Sequence, residues 1–130
     1  MSSQNTFSQA SRELKLKYQD LKASIDYEFS QRQAKVSINI ERLRNERSYY
    51  IAKLRLCEDI EESRSRIDEL SGDIARYHME KVELDRARKE SINALKRRQN
   101  KEIDALELKF AKDFTVLSNS PLTGKKGGEQ

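Results

Sequence analysis

Turn-forming residues are almost missing from this chain of 130 residues. It holds one Pro and four Gly, and Pro121, Gly124, Gly127 and Gly128 all crowd into the C-terminal tail. Gly72 is left alone in the body of the sequence. That excludes folds assembled from many short elements, because each tight turn calls on clusters of Gly, Pro, Asn or Asp. There is no Trp, and hydrophobic residues reach 35% against 37% charged, so a thick single-chain core is excluded as well. One cysteine, Cys57, excludes an internal disulfide framework. One histidine, His78, with no Cys near it, leaves a metal site or a catalytic triad without its other members. The glycines of the tail follow no strand and precede no helix, which excludes a phosphate-binding loop. No run approaches the roughly 20 apolar residues of a membrane span. The opening MSSQNTFSQAS lacks the basic and apolar regions of a signal peptide, so the expected setting is intracellular, nucleus or cytoplasm.

What is present is a hydrophobic repeat of eleven residues. Leu14, Ile25 and Val36 mark it once; Leu16, Tyr27, Ile38, Tyr49 and Ile60 mark it again; Tyr18, Phe29, Ile40 and Ile51 mark it a third time. Eleven residues make three turns at about 3.67 residues per turn, which keeps each marked position on one side of a nearly straight helix. Short pieces such as Val36-Ser-Ile-Asn-Ile40 alternate like strands, but the segments joining them hold no turn signal and consist mostly of strong helix formers. The expected fold class is therefore all-α.

Steps of three and four trace one apolar seam through the first half, at Leu14, Tyr18, Leu21, Ile25, Phe29, Val36, Ile40, Leu43, Tyr50, Leu54 and Cys57. It continues closer to a heptad average through Ile67, Leu70, Ile74, Tyr77, Leu84, Ile92, Leu95, Ile103, Leu106 and Phe110. Arg32, Arg47, Arg64, Lys81, Arg88 and Gln99 interrupt it and would restrict register or partner choice. Residues i and i+2 lie about 200° apart on a helix, so Leu16, Tyr27, Ile38, Tyr49 and Ile60 form a second, thinner stripe opposite the first. Large side chains are often exposed singly and mean nothing, but five at one spacing are expected to pack on something.

The charge is uneven. Residues 1–57 carry 11 Lys/Arg against 6 Asp/Glu, residues 58–73 carry 2 against 7, and residues 74–130 carry 13 against 9. Between the two basic arms lies an acidic waist where the seam is weakest. The expected organisation is a flexible N-terminus over 1–9 with Ser8 or Ser11 as helix cap, an eleven-residue-repeat helix over 10–60, a heptad-like helix over 61–117, and a disordered tail over 118–130. One long, nearly continuous helix forming a coiled coil is the arrangement expected, spanning roughly 160 Å at about 1.5 Å per residue. The alternative is a helical hairpin turning near residues 62–73, with Gly72 as the stop and Asp73 as the new cap.

Function is written only coarsely. The expectation is a non-enzymatic coiled-coil subunit that oligomerises with itself or with other helical proteins and scaffolds an intracellular complex, with no cofactor, no metal and no small-molecule substrate. The seam would mediate oligomerisation, with Cys57 as a small buried member of it. The rival is a basic nucleic-acid or chromatin binder using Lys96, Arg97, Arg98 and Lys101, although acids flank that cluster and no aromatics interleave it. Ser120 before Pro121 is a minimal phosphorylation pattern, and His78 reads as an ordinary helix-surface residue.

Overall fold

The structure, a computed structural model, describes the backbone of residues 3–118 and the side chains of residues 6–112. It is all-α. Helix α1 runs over Ser3–Arg55 and helix α2 over Ile60–Ser118. The chain is therefore not one continuous helix: it breaks at residues 56–59 and the second helix packs back on the first. The break falls earlier than the 62–73 segment expected for a hairpin. Ser8 and Ser11 lie inside α1, whose first residue is Ser3. The tail, with Ser120, lies outside the described residues.

The break needs no glycine. The Glu58 amide donates to the Lys53 carbonyl (2.9 Å) and the Cys57 amide to the Leu54 carbonyl (3.0 Å). This is the paired 6→1 and 5→2 bonding of a Schellman motif, with Cys57 in the αL position at φ 57°. Asp59 follows at φ 41°, and its carbonyl accepts the first bond of α2 from the Ser63 amide at 2.8 Å. Glu61 and Glu62 then place negative charge in the first turn of α2, where the helix dipole favours it. Lys53 closes the loop by pairing with Asp59 at 3.2 Å. The αL position suits Gly far better than a residue with a Cβ, which strains there by about 1 kcal/mol or more. Cys57→Gly is accordingly expected to raise the stability of the turn by about 1 kcal/mol, read as a higher urea midpoint.

Gly72 instead sits within α2, twelve residues after its first residue, Ile60. It is held there by the helix on both sides rather than by any contact of its own, since a Cβ added at Gly72 meets nothing within 4 Å.

The described residues divide into two compact units, each built from parts of both helices. In the unit Ser24–Ser91, Val36, Ile40 and Leu43 of α1 pack on Leu70 and Ile74 of α2, with Tyr50, Tyr77 and Leu84 against them. Phe29 is buried in the same unit. Burying a side chain of this size contributes about 1.5–3 kcal/mol. Polar pairs fix the antiparallel register: Arg88 to Asp26 at 3.3 Å, Arg66 to Glu46 at 2.6 Å, and Arg47 to the Ser71 hydroxyl at 3.2 Å. In the other unit, formed by the described residues up to Ala23 and from Ile92, Tyr18 and Ile92 are buried and Phe7 meets Phe110 edge to face at 5.3 Å.

Candidate protein interface

The seam residues fall where the eleven-residue and heptad steps put them, with one exception. Tyr18, Phe29, Val36, Ile40, Leu43, Leu70, Ile74 and Ile92 are buried, and Leu14, Leu21, Ile25, Tyr50, Leu54, Ile67, Tyr77, Leu84, Leu95, Ile103, Leu106 and Phe110 are half-buried. Within each unit, however, it is the chain's own other helix that covers them. The surface expected to join separate chains is spent on closing the hairpin.

Cys57 is the exception: it is exposed. The seam continues to it only if the helix does, and the helix stops at Arg55. Of the polar seam positions, Arg47 and Arg88 reach across to α2 or α1, whereas Arg32 and Arg64 turn out to solvent. Arg32 lies over the Phe29 ring at 5.3 Å and pairs with Glu28 on its own helix.

Among the described residues, the four α1 members of the second stripe are not covered by α2. The fifth, Ile60, is the first residue of α2 and so leaves that face, because the helix breaks before it. Leu16 is 52% exposed, Tyr27 68%, Ile38 67%, Tyr49 55% and Ile60 40%. Because i and i+2 lie about 200° apart, burial of Tyr18, Phe29 and Ile40 against α2 turns Leu16, Tyr27 and Ile38 away from it. The positions seven residues after Leu16, Tyr27, Ile38 and Tyr49 extend it: Ala23, Ala34, Asn45 and Leu56 are all exposed and none is charged. The sequence reading missed this companion row, although it repeats at the same spacing, because two alanines and an asparagine carry no hydrophobic signal alone. In the unit Ser24–Ser91 the stripe and this row thus form an uncharged strip along α1, with Gln31, Arg42 and Lys53 on the stripe's other side. Tyr49 packs edge to face on Tyr50 at 5.1 Å, and the Lys53 ammonium lies 5.2 Å from the centre of its ring. The Lys53 pKa is raised by its bonds to Asp59 first and to Tyr49 second.

The basic cluster is only partly free. Lys96, Arg97, Arg98 and Lys101 are all exposed, and the Arg98 guanidinium also lies 5.8 Å over the Tyr18 ring. The hydroxyl of the same ring is also engaged. The Tyr18 hydroxyl donates to one oxygen of Glu102, and Lys17 pairs with the other at 3.3 Å. Burial, then the bond to Glu102, raises the Tyr18 pKa. The hydroxyl's hydrogen bond, then that of Lys17, holds the Glu102 carboxyl below the ordinary carboxylate range. A carboxylate whose pKa is depressed by folding stabilises the fold above its unfolded pKa, and that contribution is lost as pH falls through the folded value. Stability of the wild-type chain is therefore expected to decline on acidification below the ordinary carboxylate range. In Tyr18→Phe the midpoint is lower near neutral pH and the acid decline shallower, read from urea midpoints across that range.

His78 is exposed, and the Arg44 guanidinium lies 3.3 Å from its Nε2. Among the described residues no three of His, Cys, Asp and Glu gather closely enough to hold a metal ion, and no helix is long and apolar enough to cross a membrane. One open groove mixes Arg42, Arg66 and Arg76 with Asp73, Glu80 and Glu83, so charges of both signs line it. No protein-family model matches the chain, and comparison with curated proteins and with solved structures returns no significant match.

Proposed function

We propose that the chain is a non-enzymatic assembly module, a helical hairpin that presents the outward face of α1 to another helical protein within a complex. The observation that carries this reading is the exposure of Tyr27, Ile38 and Tyr49 in one row on the side of α1 opposite the seam. Singly exposed apolar residues are ordinary, but an apolar row rimmed by polar groups is what an interface core looks like before it is covered. Tyr is moreover a residue type enriched at protein contacts, since it contributes area at small entropic cost and keeps a polar tip. The hairpin supplies what such a module requires, because α2 occupies one side of α1 and frees the other.

The test places a photo-activated cross-linking residue at position 38 and, as control, at the exposed position Arg64, and irradiates the chain in extract from the cells that make it. Protein adducts at position 38 and none at position 64 support the reading. No adduct at 38, or equal labelling at both positions, sinks it.

The nucleic-acid reading has less behind it. Its cluster has Arg98 over the Tyr18 ring and Glu102 beside it. A gel-shift at about 0.1 M salt decides it, since contacts to phosphates weaken steeply as salt rises.

A further inference from the structure

We infer that the partner of this face is a second copy of the chain, joined in parallel through α1 of the unit Ser24–Ser91, so that two hairpins form a four-helix arrangement. This rests on the assembly reading above and names its occupant. Three features of the face carry it.

The first is shape. Tyr27, Ile38 and Tyr49 alternate along the row with Ala34, Asn45 and Leu56, and all six are exposed. Ala34 leaves a gap beside Ile38 into which a side chain of an identical helix fits, as knobs fit holes in a coiled coil. In a parallel, in-register pair each position meets its own copy, so Asn45 faces Asn45. A single buried Asn pair of this kind favours parallel pairing of two strands and one register.

The second is charge. At about 98° per residue, the angle of an eleven-residue repeat, Arg42 and Lys35 lie on one flank of the row and Glu41 on the other. All three are exposed, and none has an ion-pair partner within the chain among the described residues. A two-fold axis parallel to the helices sets the Lys35 and Arg42 flank of one copy against the Glu41 flank of the other. An antiparallel pair centred on Ile38 sets Lys35 against Arg42 of the second copy, like against like. The unpaired charges thus complement the same surface in the parallel sense and oppose it in the other. An isologous contact needs this self-complementarity.

The third is area. From Tyr27 to Leu56 the row covers about 44 Å of helix at about 1.5 Å per residue. A band about 10 Å wide, the diameter of a helix, gives roughly 450 Å² on each copy, or roughly 900 Å² in all. That approaches the roughly 1,000 Å² of a specific interface.

The experiment is sedimentation equilibrium of the full chain from about 1 to 100 µM, with Ile38→Glu, Glu41→Lys and the triple variant Glu41→Lys, Lys35→Glu, Arg42→Glu. Circular dichroism verifies that each keeps the helix content of the parent, which an exposed substitution leaves in place. A monomer–dimer equilibrium is expected for the parent, at least about tenfold weaker in Ile38→Glu and in Glu41→Lys and restored in the triple variant. Oxidation supplies the direction. Cys57 is exposed at the turn, so parallel pairing sets the two turns at one end and yields a disulfide-linked dimer, whereas an antiparallel pair holds them far apart. A parent that stays monomeric at the highest concentration overturns the inference, as does a dimer indifferent to Ile38→Glu or one without the Cys57 link. If the chain is monomeric and position 38 still cross-links to a different protein in extract, self-pairing fails while the assembly reading stands.

Discussion

Leu70→Ala is expected to destabilise the hairpin by about 2–5 kcal/mol, the range for removing a fully enclosed leucine side chain. Leu70 is 0% exposed, in contact across the helix pair with the cluster of Val36, Ile40, Leu43 and Ile74. A two-helix layer has few ways to collapse around a vacated site, because only one other helix can move inward. The loss also matters more here than in a thicker fold, since so few side chains reach full burial. The comparison that gives the number meaning is Ile38→Ala. It removes an apolar side chain of similar size from a site that is 67% exposed, where substitutions ordinarily change stability by within about 0.5 kcal/mol. Urea unfolding followed by circular dichroism, at a concentration low enough to keep the chain monomeric, measures both. Leu70→Ala with a midpoint close to that of Ile38→Ala would mean that the seam is not closed by α2.

These two leucine-sized residues also mark what the sequence made readable. The period of three and four identified both apolar sides of α1, because a helix repeats its faces whatever covers them; hence the burial of Tyr18, Val36 and Ile40 and the exposure of Tyr27 and Ile38 follow from position alone. What covers the seam is a different matter. A stripe facing another chain and a stripe facing the same chain folded back have the same pattern, and only the place of the turn separates them. That place was signalled faintly. Leu54, Cys57 and Ile60 follow in steps of three, and acids begin at Glu58, but Gly72 offered the stronger conventional stop signal. The chain bends where the seam is weakest and not where the glycine is, since the backbone bonds of a Schellman motif hold Cys57 at φ 57° without it. The uncharged row of Ala34, Asn45 and Leu56 was hidden for another reason: its meaning lies in the absence of charge beside a known stripe, and absence shows only once the stripe is known to be open.

Gly72→Pro is expected to cost about 3 kcal/mol or more, while Gly72→Ala is expected to gain about 1 kcal/mol. The opposite signs follow from one fact, that Gly72 is an interior residue of α2. Proline there removes the amide that bonds back to the Asp68 carbonyl, and its ring collides with that carbonyl and kinks the helix. The kink falls between Leu70 and Ile74, the two α2 residues of the buried cluster, and beside Ser71, which accepts a hydrogen bond from Arg47. Local strain is thus passed to packing and to register together. Alanine meets none of this: its methyl group has nothing within 4 Å, and it limits the backbone freedom that glycine must lose on folding. A turn at residues 62–73 with Gly72 as its C′ residue would reverse the alanine result, because a left-handed C′ position is strained by a Cβ. Urea midpoints of the parent and the two variants are enough to decide. Gly72→Ala below the parent would move the turn away from Cys57 and with it the side of α1 that is left open, and Gly72→Pro within about 0.5 kcal/mol of the parent would take Gly72 out of the helix interior.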